Sequence, residues 1–263
     1  MYNKNKMIDG HIHIERQNYD LNLINKMVEV AISRGVDELN ILDHTHKFKE
    51  FNFLYTTLKE QRTINWYHSK LPYQKPIQEY IDFIKLVKSK KWPIKLNFGL
   101  EVCYFKEHEQ ALRDYLESLK PFKFDFLIGS AHFTDGACVD LCKEIYDEVD
   151  VDEFYRHYFE ELHDLIHSQM FDIIAHPDFI KKFDVYPSFS LTPYYEAFAK
   201  EMKKYHQKTE NNSGLIRFGY PYPGLCPELL ELFKKYDVKF HRSSDAHVYT
   251  DIGRAFDKIE ENL

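Results

Sequence analysis

The stretch DGHIHIE, residues 9–15, puts His11, His13 and Glu15 at alternate positions, and alternate residues of a β-strand point to the same side. Three Lewis bases on one face of a strand predict a metal site where that strand ends. The pattern returns at the far end of the chain in SSDAH (243–247), where Asp245 and His247 are again two apart. Between these two stretches, runs of strand type recur at 38–44, 95–102, 124–132, 171–177 and, weakly, 208–214. The first and last runs of the series are 7–13 and 237–247.

Segments with helical spacing separate the runs. One begins at Asp20, an N-cap residue before Leu21, Ile24, Val28, Ala31 and Ile32, and stops at Gly35. Others cover 76–91, opened by Pro76, then 151–168, 193–205 and 227–236. Strands alternating with helices predict βαβ units and a parallel sheet. Six or seven such units in one chain favour a closed barrel over an open sheet, so the expected fold is α/β, with a single domain over residues 1–263. The stretch 47–76 is too long for a plain connection and is expected as a partly helical, lid-like insertion.

Each strand but the weak one closes on a residue of metal-ligand type: His11 and His13, His44, Glu101, His132, His176, then Asp245 and His247. In a β/α barrel the active site is built from the C-terminal ends of the strands, so these scattered side chains would converge on one rim. Eight candidate ligands exceed the three or four that one catalytic zinc takes, which implies two to three divalent ions. Imidazole with carboxylate and without thiolate suits Zn, Fe or Mn. Glu101 is the natural bridge, because its two oxygens can reach two cations roughly 3.5–4 Å apart.

The remaining histidines carry less. His157, His163 and His167 share one expected helix, yet HDLIH lacks the glutamate of an HExxH site, and His68, His108 and His206 read as solvated. His46 and His241 lie near the ligand motifs and are candidates for orienting ligands. Cys138 and Cys142 are one helical turn apart, a weak zinc pair, and the four cysteines form no disulfide framework.

Composition narrows the partners. The 263 residues are 44% hydrophobic and 29% charged, with no apolar run near the roughly 20 residues of a membrane span. MYNKNKMIDG has no apolar stretch behind its lysines, so a cytoplasmic location is expected. A net charge of −7 argues against a nucleic-acid groove, which needs clustered Lys and Arg. Small substrates are favoured, and the oligomeric state is open.

HIH near the start, LDH (42–44), GLE (99–101), GSAH (129–132), AHPD (175–178) and SSDAH (243–247), together with the segment that begins ENNSGLIRFG at Glu210, resemble the successive motifs of the polymerase and histidinol phosphatase (PHP) superfamily. Over most of its length the chain is similar to the histidinol-phosphatase branch. The resemblance implies a distorted seven-stranded (βα) barrel, TIM-barrel-like, with a trinuclear metal site that hydrolyses a phosphate monoester, L-histidinol phosphate, in histidine biosynthesis. By motif, His11, His13, Glu101 and Asp245 would hold one ion and Glu101, His132 and His176 a second. His44 and His247 would share a third. The further histidine that many members place after HxH is missing here; Glu15 is the substitute, or a solvated carboxylate.

Arg217 is the expected phosphate contact, since guanidinium matches phosphate bidentately, and Asp178 would orient His176 or meet the substrate amine. The catalytic assignment is Glu101 and Arg217, with a hydroxide bridging two ions attacking phosphorus. Another small phosphate ester or a nucleotide is an alternative substrate. An amidohydrolase is a second alternative, although its bridging lysine has no counterpart, and a non-catalytic metal-stabilised scaffold is a third.

Overall fold

The computed structural model describes residues 6–263. In chain order the elements are β1 (Ile8–His13), α1 (Leu21–Ser33), β2 (Glu38–His44), α2 (Gln61–Lys70), α3 (Ile77–Lys88), β3 (Lys95–Cys103), α4 (Glu109–Ser118) and β4 (Phe126–Ser130). A two-stranded antiparallel hairpin follows, β5 (Phe133–Thr134) with β6 (Ala137–Cys138). The chain continues through α5 (Val151–Ser168), β7 (Ile173–Ile174), α6 (Thr192–Lys204), β8 (Lys208–Asn212), α7 (Pro227–Lys235) and β9 (Phe240–Ser243).

Seven of the strands form one parallel sheet in the order β1-β2-β3-β4-β7-β8-β9. The sheet curls until its two edges meet: Ile12 bridges Ala246 in parallel, and the His13 amide donates to the Ala246 carbonyl at 2.8 Å. Asp9 reinforces this seam, accepting from the Ser244 amide (2.9 Å), the Ser244 hydroxyl (2.6 Å) and the Gly253 amide (2.7 Å). The seven-stranded βα barrel expected from the sequence is therefore the fold, nearly closed.

The pairing of β1 with β2 slips between Asp9 and Ile12, a bulge immediately beside His11. Gly10 lies in it for a steric reason, since a Cβ there would stand 1.8 Å from the His241 ring. Glycine lets β9 press against β1 at this point.

Helices pack their apolar stripes on the outside of the barrel. On α1, Leu23, Ile24, Met27, Val28 and Ala31 are buried, and the Asp20 carboxylate caps the first turn through the Leu23 amide at 2.8 Å. Full burial of each large apolar side chain stabilises by about 1.5–3 kcal/mol, which is what holds the strand ends in register. Segment 47–76 carries a 3-10 run over Lys49–Thr57 as well as α2, and its ends are tied by Phe48–Lys75 pairing. The run buries its own Phe51, Leu54 and Tyr55. No helix among the described residues is long and apolar enough to cross a membrane.

Candidate metal centre

Glu101, the third residue from the end of β3, is buried in the barrel mouth, and its two oxygens face different histidines. Oε1 lies 3.1 Å from His176 Nε2 and 3.3 Å from His132 Nε2. Oε2 lies 3.1 Å from His11 Nε2 and 3.3 Å from both His13 Nε2 and His44 Nδ1. Asp245 Oδ1 is 3.3 Å from His13 Nε2, and the His247 ring stacks on that of His13 with centroids 4.2 Å apart. Five strand ends and the β9 loop thus deliver all eight side chains into one space.

Glu15 joins them. Its Oε2 is 3.4 Å from His44 Nδ1 and 3.8 Å from His13 Nδ1, and its Oε1 is 3.9 Å from His247 Nε2. The carboxylate is buried, so the solvated alternative does not hold.

Crowding sets the charges. Burial works against ionisation of Glu101, yet His11, His132 and His44 outweigh it and hold the carboxyl well below its usual range. Burial likewise opposes a charge on His13, but hydrogen bonds to Asp245 and Glu101 raise it to about 9. His44 goes the other way, pushed well down by burial, and burial with the neighbouring His13 lowers His247 to about 4. Without cations, the cluster must keep protons on some rings and exclude them from others.

Two observations match divalent cations. The Nε2 atoms of His11 and His13 are 2.9 Å apart, a distance two lone pairs tolerate only with a proton or a cation between them. Glu15 Oε2 is buried without any hydrogen-bond partner, a costly state for a carboxylate unless an ion completes it. Three groupings bring ligand atoms within 4.8 Å of one another: His11, His13 and Glu101; His44, Glu101 and His132; His13, His44 and His247. The donor set, imidazole and carboxylate, fits divalent metal ions.

The PHP domain model matches residues 9–216, which is most of the chain. The chain belongs to the PHP domain family. A curated relative from Deinococcus radiodurans, named "Probable histidinol-phosphatase", is 23% identical over 262 residues, covering 97% of this chain and 92% of its own. A solved structure from Listeria monocytogenes, of a candidate histidinol phosphatase, superposes with a TM-score of 0.73 at 23% identity and covers 95% of this chain and 98% of that one. Another, the histidinol phosphate phosphatase of Lactococcus lactis in complex with zinc, L-histidinol and phosphate, gives 0.67 at 18% identity, with 97% and 92% covered. The two structures share the barrel.

In this PHP domain Arg217 stands at the mouth, on the 3-10 turn Gly214–Phe218. Its Nε donates to the Gly214 carbonyl at 3.1 Å, while Nη1 is 3.2 Å from His247 Nδ1 and Nη2 3.8 Å from Asp245 Oδ2. Asp178 is a correction. Its Oδ2 accepts from the Lys181 ammonium and from the Cys226 amide, the latter at 2.8 Å, and His176 turns its ring to Glu101 instead. Asp178 therefore does not orient His176.

His46 packs its ring edge-on against His44, with centroids 4.9 Å apart, and makes no hydrogen bond through Nδ1. His157, His163 and His167 pair with Asp135 and Glu201 on the outside of the barrel. Cys138 is buried with its thiol on Asp140, and Cys142 is a separate half-buried thiol. Sequence reasoning passed over Glu210, which is buried and 3.1 Å from His11 Nδ1. Its signal was a glutamate and an asparagine two apart, Glu210 and Asn212, on the weakest of the expected strands.

Proposed function

We propose that this PHP domain hydrolyses a small phosphate monoester, L-histidinol phosphate, to L-histidinol and phosphate, with two to three divalent ions (Zn, Fe or Mn) around Glu101. The observation that carries the reading is the division of the Glu101 carboxylate, one oxygen toward His132 and His176 and the other toward His11, His13 and His44. Such a carboxylate suits a bridge between cations. The naming of the Deinococcus radiodurans relative and the ligands in the Lactococcus lactis complex support the choice of substrate.

On this reading His11, His13, Glu101 and Asp245 would hold one ion, Glu101, His132 and His176 a second, and His44, His247 and Glu15 a third. Bound divalent ions supply positive charge for phosphoryl oxygens and an activated water near neutral pH. Arg217 would take the outward phosphoryl oxygens, its planar fork matched to them and its position secured through Gly214. The buried rings keep bulk water away, which strengthens each of these contacts.

The test is phosphate release from L-histidinol phosphate, compared with nucleotides and other monoesters, after reconstitution with Mn, Fe or Zn separately. L-Histidinol phosphate is expected to be the best substrate, and His132→Ala to lower turnover by orders of magnitude with the fold intact by circular dichroism. A metal-loaded chain that turns over no monoester would leave only the scaffold alternative, and preference for another ester would move the substrate assignment.

A further inference from the structure

β8 is the barrel strand that ends in no candidate ligand, and its buried residues are polar: Thr209, Glu210, Asn211 and Asn212. Glu210 is fully buried. Its oxygens lie 3.1 and 3.2 Å from His11 Nδ1, and Oε1 also accepts from the His176 amide at 2.9 Å and from the Asn212 side-chain amide at 2.8 Å. We infer that Glu210 is a positioning residue that fixes the tautomer of His11 and, through it, the cation affinity of the centre. The inference rests on the reading that the centre binds divalent ions.

The argument follows from what a carboxylate and a neutral imidazole can offer each other. An ionised carboxylate only accepts, so the nitrogen of His11 that faces Glu210 carries the proton. A neutral ring has one donor and one acceptor, which leaves the lone pair on Nε2. That atom points into the centre, 3.1 Å from Glu101 Oε2 and 2.9 Å from His13 Nε2. Carboxylates behind ligating histidines orient the ring and raise its basicity, and losing them typically weakens metal binding about 10–100-fold.

Glu210 also ties together the two sides of the site. His11 faces Oε2 of Glu101 and His176 faces Oε1, and Glu210 holds the ring of the first and the backbone of the second. Asn212 extends the brace, its Oδ1 accepting from the Gly214 amide at 2.7 Å. Gly214 in turn lies against Asp245, close enough that a Cβ there would be 2.6 Å from Oδ2. Glu210 does not itself join the ligand cluster, because it stands on the far side of the His11 ring.

Glu210→Gln tests this with little change of volume. Zinc affinity is measured by competition with a chromophoric chelator, and the His11 ring by proton–nitrogen correlation on the zinc-loaded protein. The native protein is expected to show a slowly exchanging proton on His11 Nδ1. In the variant the neutral amide accepts more weakly than the carboxylate, so that proton is expected to exchange faster and the tightest zinc to bind about 10–100-fold more weakly; a purely structural role would leave both the exchange rate and the affinity unchanged. Equal affinity in both proteins overturns the role of Glu210 while leaving metal binding in place. A native chain that takes up no zinc overturns the metal reading, and this inference with it. Should the variant not fold, the native spectrum decides alone: a proton on Nε2 of His11 overturns the assignment.

Discussion

A neutral imidazole is half donor and half acceptor, so five of them around one carboxylate cannot all be satisfied by one another. The opposed shifts of His13, raised to about 9, and His247, lowered to about 4, follow from that frustration. Arg217 sits at the edge of the cluster beside His247 and Asp245, and on the proposed reading its fork would offer two parallel donors to a pair of phosphoryl oxygens. Arg217→Lys keeps the charge and loses the fork. A charge-assisted hydrogen bond contributes about 1.5–3 kcal/mol, so kcat/KM for the phosphate ester is expected to fall about 10–100-fold. Steady-state kinetics check it, and an unchanged kcat/KM would remove Arg217 from the phosphate. At this scale the sequence was most readable where spacing and chemistry coincide, in HIH, in SSDAH and in Glu15, which shares the face of His11 and His13. It was least readable at Asp178, whose neighbour Lys181 folds back on it within a 3-10 turn, a local pairing that no strand periodicity announces.

Elements were legible in proportion to their apolar stripes. α1, α3 and α5 bury a continuous row each and stand where helical spacing placed them. α4 is absent from the sequence reading: its apolar stripe is short, with only Leu112 of its ten residues buried and Tyr115 and Leu116 half-buried against the core. β7 shrinks to Ile173–Ile174 where the run 171–177 promised more, since Ala175 and His176 leave the sheet to reach the mouth. The hairpin β5–β6 was too short to see. It matters at Glu161 on α5, whose Oε2 accepts from the Thr134 hydroxyl at 2.8 Å. Burial, joined by the nearby Asp135 and Glu107 charges, raises this carboxyl well above its usual range. A raised acid binds its proton more tightly when folded, so its contribution is favourable below the unfolded value near 4.5 and is lost as pH climbs through the folded one. Glu161→Gln, which keeps an acceptor for Thr134, is therefore expected to raise Tm at pH 7 by about 2–4 °C, roughly 1 kcal/mol in a chain of this size. The gain should shrink toward pH 4.5. Thermal melts at the two pH values check it; a lower Tm at pH 7 would mean that the ionised form is the stabilising one.

Across the whole molecule, the centre joins the two ends of the chain. β1 brings His11 and His13, and the loop after β9 brings Asp245 and His247; the same seam is held by Asp9 on Ser244, 235 positions away. The order of strands and the closed barrel were legible because each helix returns the chain to the same sheet end, but the means of closure was not, because it depends on a bulge and on Gly10 yielding space to His241. Cations that bind only the folded chain stabilise it by about 2.7 kcal/mol at a hundred times their dissociation constant. Removing them with a chelator is thus expected to lower Tm by roughly 5–10 °C. The loss should be uneven, since ions held by His11, His13, Asp245 and His247 would join β1 to the β9 loop, on the side of the barrel away from α3 and α5. Hydrogen exchange resolves this: amides of residues 8–14 and 243–248, including His13 on the Ala246 carbonyl, should exchange faster after chelation, while α3 and α5 stay protected. A drop in Tm with uniform exchange would show the ions stabilising the fold as a whole and not stapling its seam, and no drop at all would show that the seam closes on hydrogen bonds alone.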